Sequence, residues 1–236
     1  MYLQWSQACS ALFLGRIIYT LAKNSEYVRV LVEVIVTERS ELIQEMAKNA
    51  LESDENLEKL VEALAVSSRR ERQQVAAGIY VVAKSEPKRL VPYINDMIDA
   101  LNRPEAQTRW EILETLTLLV DYDARTCGKA LPEVEAALFD EESGLVRLGG
   151  MRFLCKYGAT TANRSDKVWP LIDEGIQCYH GDLEFNDMLT ALVEFSAGKL
   201  SDEVTKAFAD RMSFDAENAK GTLKKRAEQI IANLGQ

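Results

Sequence analysis

The sequence carries a single histidine, His180, among its 236 residues. A histidine relay or a multi-histidine metal site therefore has nothing to be built from. Glycine and proline are scarce, 12 and 5 residues, which excludes collagen-like chains and flexible linkers. The four cysteines (Cys9, Cys127, Cys155 and Cys178) include no C-x-x-C pair and no zinc-type spacing. They are expected to be buried thiols in a reducing cytoplasm. Cys178 and His180 are two residues apart, and on a helix their side chains would point about 200° apart, outside one ligand sphere. Phosphate-loop, dinucleotide, nucleophile-elbow and H-E-x-x-H motifs are all missing. No metal or cofactor is expected.

Basic charge is also short. Lys and Arg number 28 against 37 Asp and Glu, for a net charge of −9, which argues against nucleic acid as the main ligand. The run from Ala8 to Ala22 is apolar but is interrupted by Arg16 and preceded by no positive segment. It fits neither a secretory signal nor the roughly 20 apolar residues of a membrane span. Leu14, Ile17, Ile18 and Leu21 fall at helical spacing, so a buried first helix and a cytoplasmic protein are expected.

What the chain does have is helical periodicity and, at 47%, enough hydrophobic residues for a sizeable core. Strand-like alternation occurs in Val28–Val36, but Val28, Leu31, Val32 and Ile35 also fit a helix. A lone strand would lack a partner, so a valine-rich buried helix is the reading.

Beyond Asn56 the helical segments repeat. A basic residue, two mostly apolar residues and a residue suited to a helix's first turn recur as Lys59–Glu62, Arg89–Pro92, Lys129–Pro132, Lys167–Pro170 and Lys199–Asp202. Two residues on stands an apolar position: Leu64, Ile94, Val134, Ile172, Val204. Four further stand Ile98, Leu138, Ile176 and Phe208, on the same face; only Ser68 breaks the pattern. A second signature, basic or polar, marks the other helix of each pair at Arg109, Asn186, Lys224 and Arg147, in steps of 38 or 39 residues. One step back, Gln74 stands 35 residues before Arg109 in place of the basic residue. Mid-helix Ala76-Ala77-Gly78 and Gly149-Gly150 predict close backbone approach between adjacent repeats.

The run Val146-Arg147, Gly149-Gly150, Phe153-Leu154, followed by a loop and a helix opening near a proline, resembles HEAT or armadillo-type repeats. The resemblance spans roughly 56–234 and is clearest from Pro104. It implies an all-α fold: a right-handed α-α superhelix, a solenoid of stacked antiparallel helix pairs. The expected organisation is a single domain, 1–236. Residues 1–55 would be atypical N-terminal capping helices and residues 56–236 about five helix pairs. The resemblance further implies that the V-R arginines pair with acidic groups of neighbouring loops, with Glu105 and Glu142 available to Arg109 and Arg147. It also implies that the second helices line a concave binding face.

Subtracting the core stripe from those helices leaves Tyr93, Asn95, Asp96 and Asp99 on the 88–102 segment. Glu133 and Glu135 are left on the next, then Asp173, Glu174 and Gln177. The expected surface is acidic and suited to a basic peptide or protein. The functional expectation is a non-enzymatic scaffold that binds a partner protein. One alternative is a HEAT-like DNA glycosylase using Trp110, Glu111 and Asp121; another is a HEAT-like lyase, signalled by a deep apolar pocket. Trp169 reads as core, whereas Trp110 is a candidate binding anchor. The basic runs Arg69–Arg72 and Lys224–Arg226 read as solvated rims. The apolar region around Phe13, Ile17 and Ile18 is a candidate for packing against a second copy.

Overall fold

A computed structural model of the chain describes the backbone of residues 26–235 and the side chains of residues 37–235. The expected first helix, Trp5 and Cys9 lie outside the described residues. The chain divides into two compact units, Met1–Glu45 and Met46–Gln236. The valine-rich stretch is helical and belongs to α1, Glu26–Glu52. No strand occurs among the described residues.

In Met46–Gln236 the chain runs through α2 (Asp54–Val66), α3 (Arg69–Ser85), a 3₁₀ turn (Pro87–Tyr93), α4 (Ile94–Ala100) and α5 (Ala106–Cys127). A second 3₁₀ turn (Gly128–Ala130) leads into α6 (Leu131–Leu138), followed by α7 (Gly144–Gly158), α8 (Ala162–Tyr179), α9 (Phe185–Ser196), α10 (Asp202–Asn218) and α11 (Gly221–Asn233). Hydroxyl side chains set several starts by accepting an orphan backbone N–H. Ser53 takes the Asn56 amide at 3.1 Å, Ser201 that of Val204 at 3.1 Å and Thr161 that of Arg164 at 3.3 Å. At α3 the Glu71 carboxylate reaches back to the Ser68 backbone N–H at 3.1 Å and to its hydroxyl at 2.7 Å.

The predicted stripe is the core. Leu64, Ile94, Val134, Ile172 and Val204 are all buried, as are Ile98, Leu138, Ile176 and Phe208. The signature that precedes them marks the first turn at Pro132 and Asp202. At Glu62 and Pro170 it falls inside α2 and α8 instead. Helix α8 starts two turns earlier, at the Thr161 cap, and continues through a proline that contributes no N–H.

The helices form two unequal rows. In the first, α3, α5, α7, α9 and α11 each pack closely against the next. In the second, α2, α4, α6, α8 and α10 meet their row neighbours far less. Length is not the whole reason, because α8 and α10, of 18 and 17 residues, still meet each other less than do α9 and α11, of 12 and 13. The first row is the tight one and the second the open one.

An arginine ladder ties successive repeats. Arg72 donates to Glu105 at 2.8 Å, Arg109 to Asp140 at 2.6 Å and Arg147 to Glu184. Arg72 also caps α2 by bonding the Leu64 and Ser67 carbonyls at 2.8 and 2.6 Å, and Arg147 bonds that of Asp140 at 2.8 Å. This corrects two expectations. The rung before Arg109 is Arg72, not Gln74, and the partners of Arg109 and Arg147 are Asp140 and Glu184 rather than Glu105 and Glu142. Each acid belongs to the entry of the following helix of the row, so the pairing crosses between repeats.

Glycine permits one close approach inside this frame. A Cβ on Gly150 would lie 2.9 Å from the Leu138 backbone nitrogen, so α7 presses against the backbone of α6. At Gly149 the nearest neighbour is the Leu113 side chain of α5. Trp169 packs as expected: it stacks on Phe195 at 6.5 Å and meets Phe208 at 5.2 Å.

Candidate functional site

The nine residues singled out by sequence all lie on or beside the open row. Tyr93 closes the 3₁₀ turn before α4 and is half-buried; burial, then the negative charges of Glu58 and Asp54, push its hydroxyl pKa up. Asn95 accepts a hydrogen bond from Lys129 of the next repeat at 3.2 Å. Asp96 and Asp99, three apart and exposed, line a furrow between α2 and α4 with Glu62 and Arg103. Glu135 is exposed, whereas Glu133 is half-buried with one carboxylate oxygen enclosed and without a partner. Their spacing of two on α6 points them in different directions. Asp173 is neutralised by Arg211 of α10 and also accepts from Gln177 at 3.0 Å. Glu174 is exposed.

These side chains form three groups, one per helix, along the open row. Each predicted pair took the V-R helix first and the proline helix second, and the crowded row consists of the V-R helices. The proline helices that carry Tyr93, Asn95, Asp96, Asp99, Glu133, Glu135, Asp173, Glu174 and Gln177 are the splayed ones.

Charge is segregated by row. On the open-row helices and their leading 3₁₀ turns, acidic residues outnumber basic ones two to one. On the tight-row helices basic residues outnumber acidic ones three to two. Much of the tight-row charge is used internally. The ladder arginines have their acids, Arg152 meets Glu114 at 2.5 Å and Lys156 meets Asp121 at 2.8 Å. The open row keeps a surplus of exposed acids.

Sequence reasoning missed a second furrow, between α8 and α10. It is lined by Trp169, Asp173, Ala207, Asp210, Arg211 and Phe214. Phe214 is 71% exposed, unusual for a side chain of its size in a well-packed unit. The 38-residue spacing from Asp173 to Arg211 was the available signal, since Glu114 and Arg152 repeat it.

The glycosylase-type set does not converge. Trp110 and Glu111 lie about three turns, roughly 15 Å, from Asp121 along α5. Asp121 is moreover engaged by Lys156, and Trp110 packs half-buried against the core. The α8–α10 furrow is open and bordered by charged side chains rather than deep and apolar, and the small α2–α4 furrow mixes Val61, Leu64 and Ala65 with Glu62, Asp96, Asp99 and Arg103. His180 and Cys178 also go separate ways: the His180 ring meets Asp215 at 3.0 Å, while Cys178 is exposed. Burial raises the Cys127 thiol to about 12 and also pushes that of Cys155 up. No described helix is long and apolar enough to cross a membrane.

No protein-family model matches the chain, and no curated protein matches it in sequence. Solved structures do match in fold. A designed armadillo repeat protein in complex with the peptide (KR)4 aligns with a TM-score of 0.65 at 11% identity, over 81% of this chain and 91% of that one. A second designed armadillo repeat protein aligns at 0.63 and 13% identity, over 93% and 98%. Computationally designed armadillo repeat proteins for modular peptide recognition align at 0.63 and 12% identity, over 92% and 98%. The fold is that of armadillo-like helical repeats, an all-α superhelical stack.

Proposed function

We propose that the protein is a non-enzymatic scaffold that binds a basic peptide or a basic protein surface on its open row of helices, which we read as the outer wall of the repeat stack. The observation that carries the reading is the separation of charge between the rows. A net charge of −9 spread at random would acidify both rows; here the surplus sits on the splayed helices. Asp96, Asp99, Glu133, Glu135 and Glu174 supply the field, and like-signed clefts of this kind speed capture of opposite charge. Asn95 and Gln177 add neutral hydrogen-bonding groups to the same wall.

The α8–α10 furrow suits the same class of partner. Lys and Arg side chains have apolar stems and charged heads. Phe214 and Trp169 offer aromatic surface for the stem, and Asp210 has no cation partner among the described residues. A designed protein of this fold is seen with (KR)4, which makes that peptide a natural probe.

The test is fluorescence anisotropy of labelled (Lys-Arg)4 against the full chain. Saturable binding that weakens between 50 and 300 mM salt is expected, and the triple variant Asp96→Lys, Asp99→Lys, Glu174→Lys should weaken it at least tenfold. Equal binding by the triple variant would remove the outer wall as the docking site.

A further inference from the structure

A second site of opposite sign lies at the far ends of the tight-row helices. The last turns of α5 and α7, the start of α8 and the turn after α9 enclose an open cleft of about 430 Å³. Its charged lining is Lys156, Arg164 and Lys199 against the single carboxylate of Asp121. We propose that this cleft binds a phosphate-sized oxyanion, either free or carried on a phosphorylated peptide.

The cations are brought there by three different segments, and two of the three side chains are partnered. Lys156 is fixed by Asp121 at 2.8 Å. Arg164 lies over the Tyr157 ring, 5.1 Å from its centroid, and donates to the Thr160 hydroxyl at 2.9 Å. Lys199 is anchored through its backbone, whose N–H donates to the Ala159 carbonyl at 2.8 Å. That anchor requires glycine next door, because a Cβ on Gly198 would fall 2.5 Å from the Ala159 Cβ and 2.7 Å from its Cα. The turn is thereby seated directly on the end of α7, with Lys199 over the cleft.

Lys156 is already paired with Asp121, which leaves Arg164 and Lys199 as cations of the lining with no carboxylate partner among the described residues. A bound dianion compensates both. Such a ligand suits charge-assisted N–H···O bonds, with a fork from Arg164 and point charges from the lysines. Thr160 and the exposed Tyr122 stand beside them.

This site is independent of the acidic outer wall. The experiment is two-dimensional NMR of the ¹⁵N-labelled full chain, titrated in separate arms with inorganic phosphate and with a short phosphoserine peptide. Saturable shifts confined to residues 120–124, 156–164 and 198–200 are expected in at least one arm, and the tighter arm assigns the source. The double variant Arg164→Glu, Lys199→Glu should lose them. Its folding is preserved because an acid in the first turn of α8 suits the helix dipole, as an unchanged spectrum elsewhere will show. Asp121→Asn should tighten binding severalfold by removing the one repelling charge. Non-saturable shifts scattered over all surface cations, binding that survives the double variant, or no gain from Asp121→Asn would each overturn the assignment.

Discussion

The tight and open rows are built from the same repeat, yet they behave as different materials. Tight-row helices are close to their neighbours on two sides, and α7 buries most of its length, including Gly149 and Gly150. Their charges are engaged in rungs. Open-row helices bury one stripe and expose the rest, so their acids remain available. One physical cause, packing density, accounts for both: close approach in the tight row selects small residues and paired charges, and looser packing in the open row leaves furrows between successive helices. The difference can be broken or sharpened by substitutions made in matched pairs, one per row.

The largest contrast is expected between two arginines that bridge repeats. Arg72 meets Glu105, whose side chain is fully buried, whereas Arg211 meets Asp173 at a surface where the arginine is 37% exposed. Arg72→Met should cost about 3 kcal/mol, because it leaves a buried carboxylate with only the longer contact to the exposed Arg69, at 3.4 Å. Arg211→Met should cost about 1 kcal/mol or less. Urea denaturation measures both, and equal losses would erase the distinction.

Glycine gives the next contrast. Gly150→Ala drives a Cβ against the Leu138 backbone and should destabilise by about 1–3 kcal/mol, as overpacking does. At Gly175, on α8, the one contact under 3 Å would be with the terminal methyl of Met151, which can swing away, while the Leu138 methyls lie at 3.4 Å, ordinary contact. Gly175→Ala should be close to neutral, the methyl's displacement offset by about 1 kcal/mol of helix propensity.

A smaller effect concerns acid. The Arg147 guanidinium holds the Glu184 carboxyl below the ordinary glutamate range. Its proton is bound more readily by the unfolded chain, so the rung's contribution is complete above the ordinary carboxyl pKa and disappears as pH falls through the folded value. Arg147→Met should flatten that acid limb in thermal melts taken between pH 6 and 3. The smallest contrast is chemical rather than energetic: a thiol reagent should modify Cys178 of the open row in the native protein, and Cys127 and Cys155 only on unfolding.

The sequence made the core stripe legible because burial imposes a strict 3.6-residue period on apolar positions, and Leu64, Ile94, Val134, Ile172 and Val204 all obey it. Four things were not legible in the same way. The Arg72 rung was hidden because a ladder arginine is recognised by its partner, and Glu105 lies 33 residues away. Pro170 misplaced the start of α8, since proline signals a helix start only where no earlier cap such as Thr161 operates. The candidate acids were found by subtraction, which identifies exposed positions on a helix; it carries no information on which row packing will crowd. The α8–α10 furrow was invisible for a related reason, because Trp169 and Phe214 come to line one furrow only through packing between successive repeats.

The most direct test is zero-length carbodiimide cross-linking of (Lys-Arg)4 to the native chain, followed by peptide mapping of the modified carboxylates. The account predicts adducts at Asp96, Asp99, Glu135, Glu174 and Asp210, on the splayed helices. Adducts concentrated instead at Glu111, Glu114, Asp187 and Glu194 would place the peptide on the tight row and contradict it.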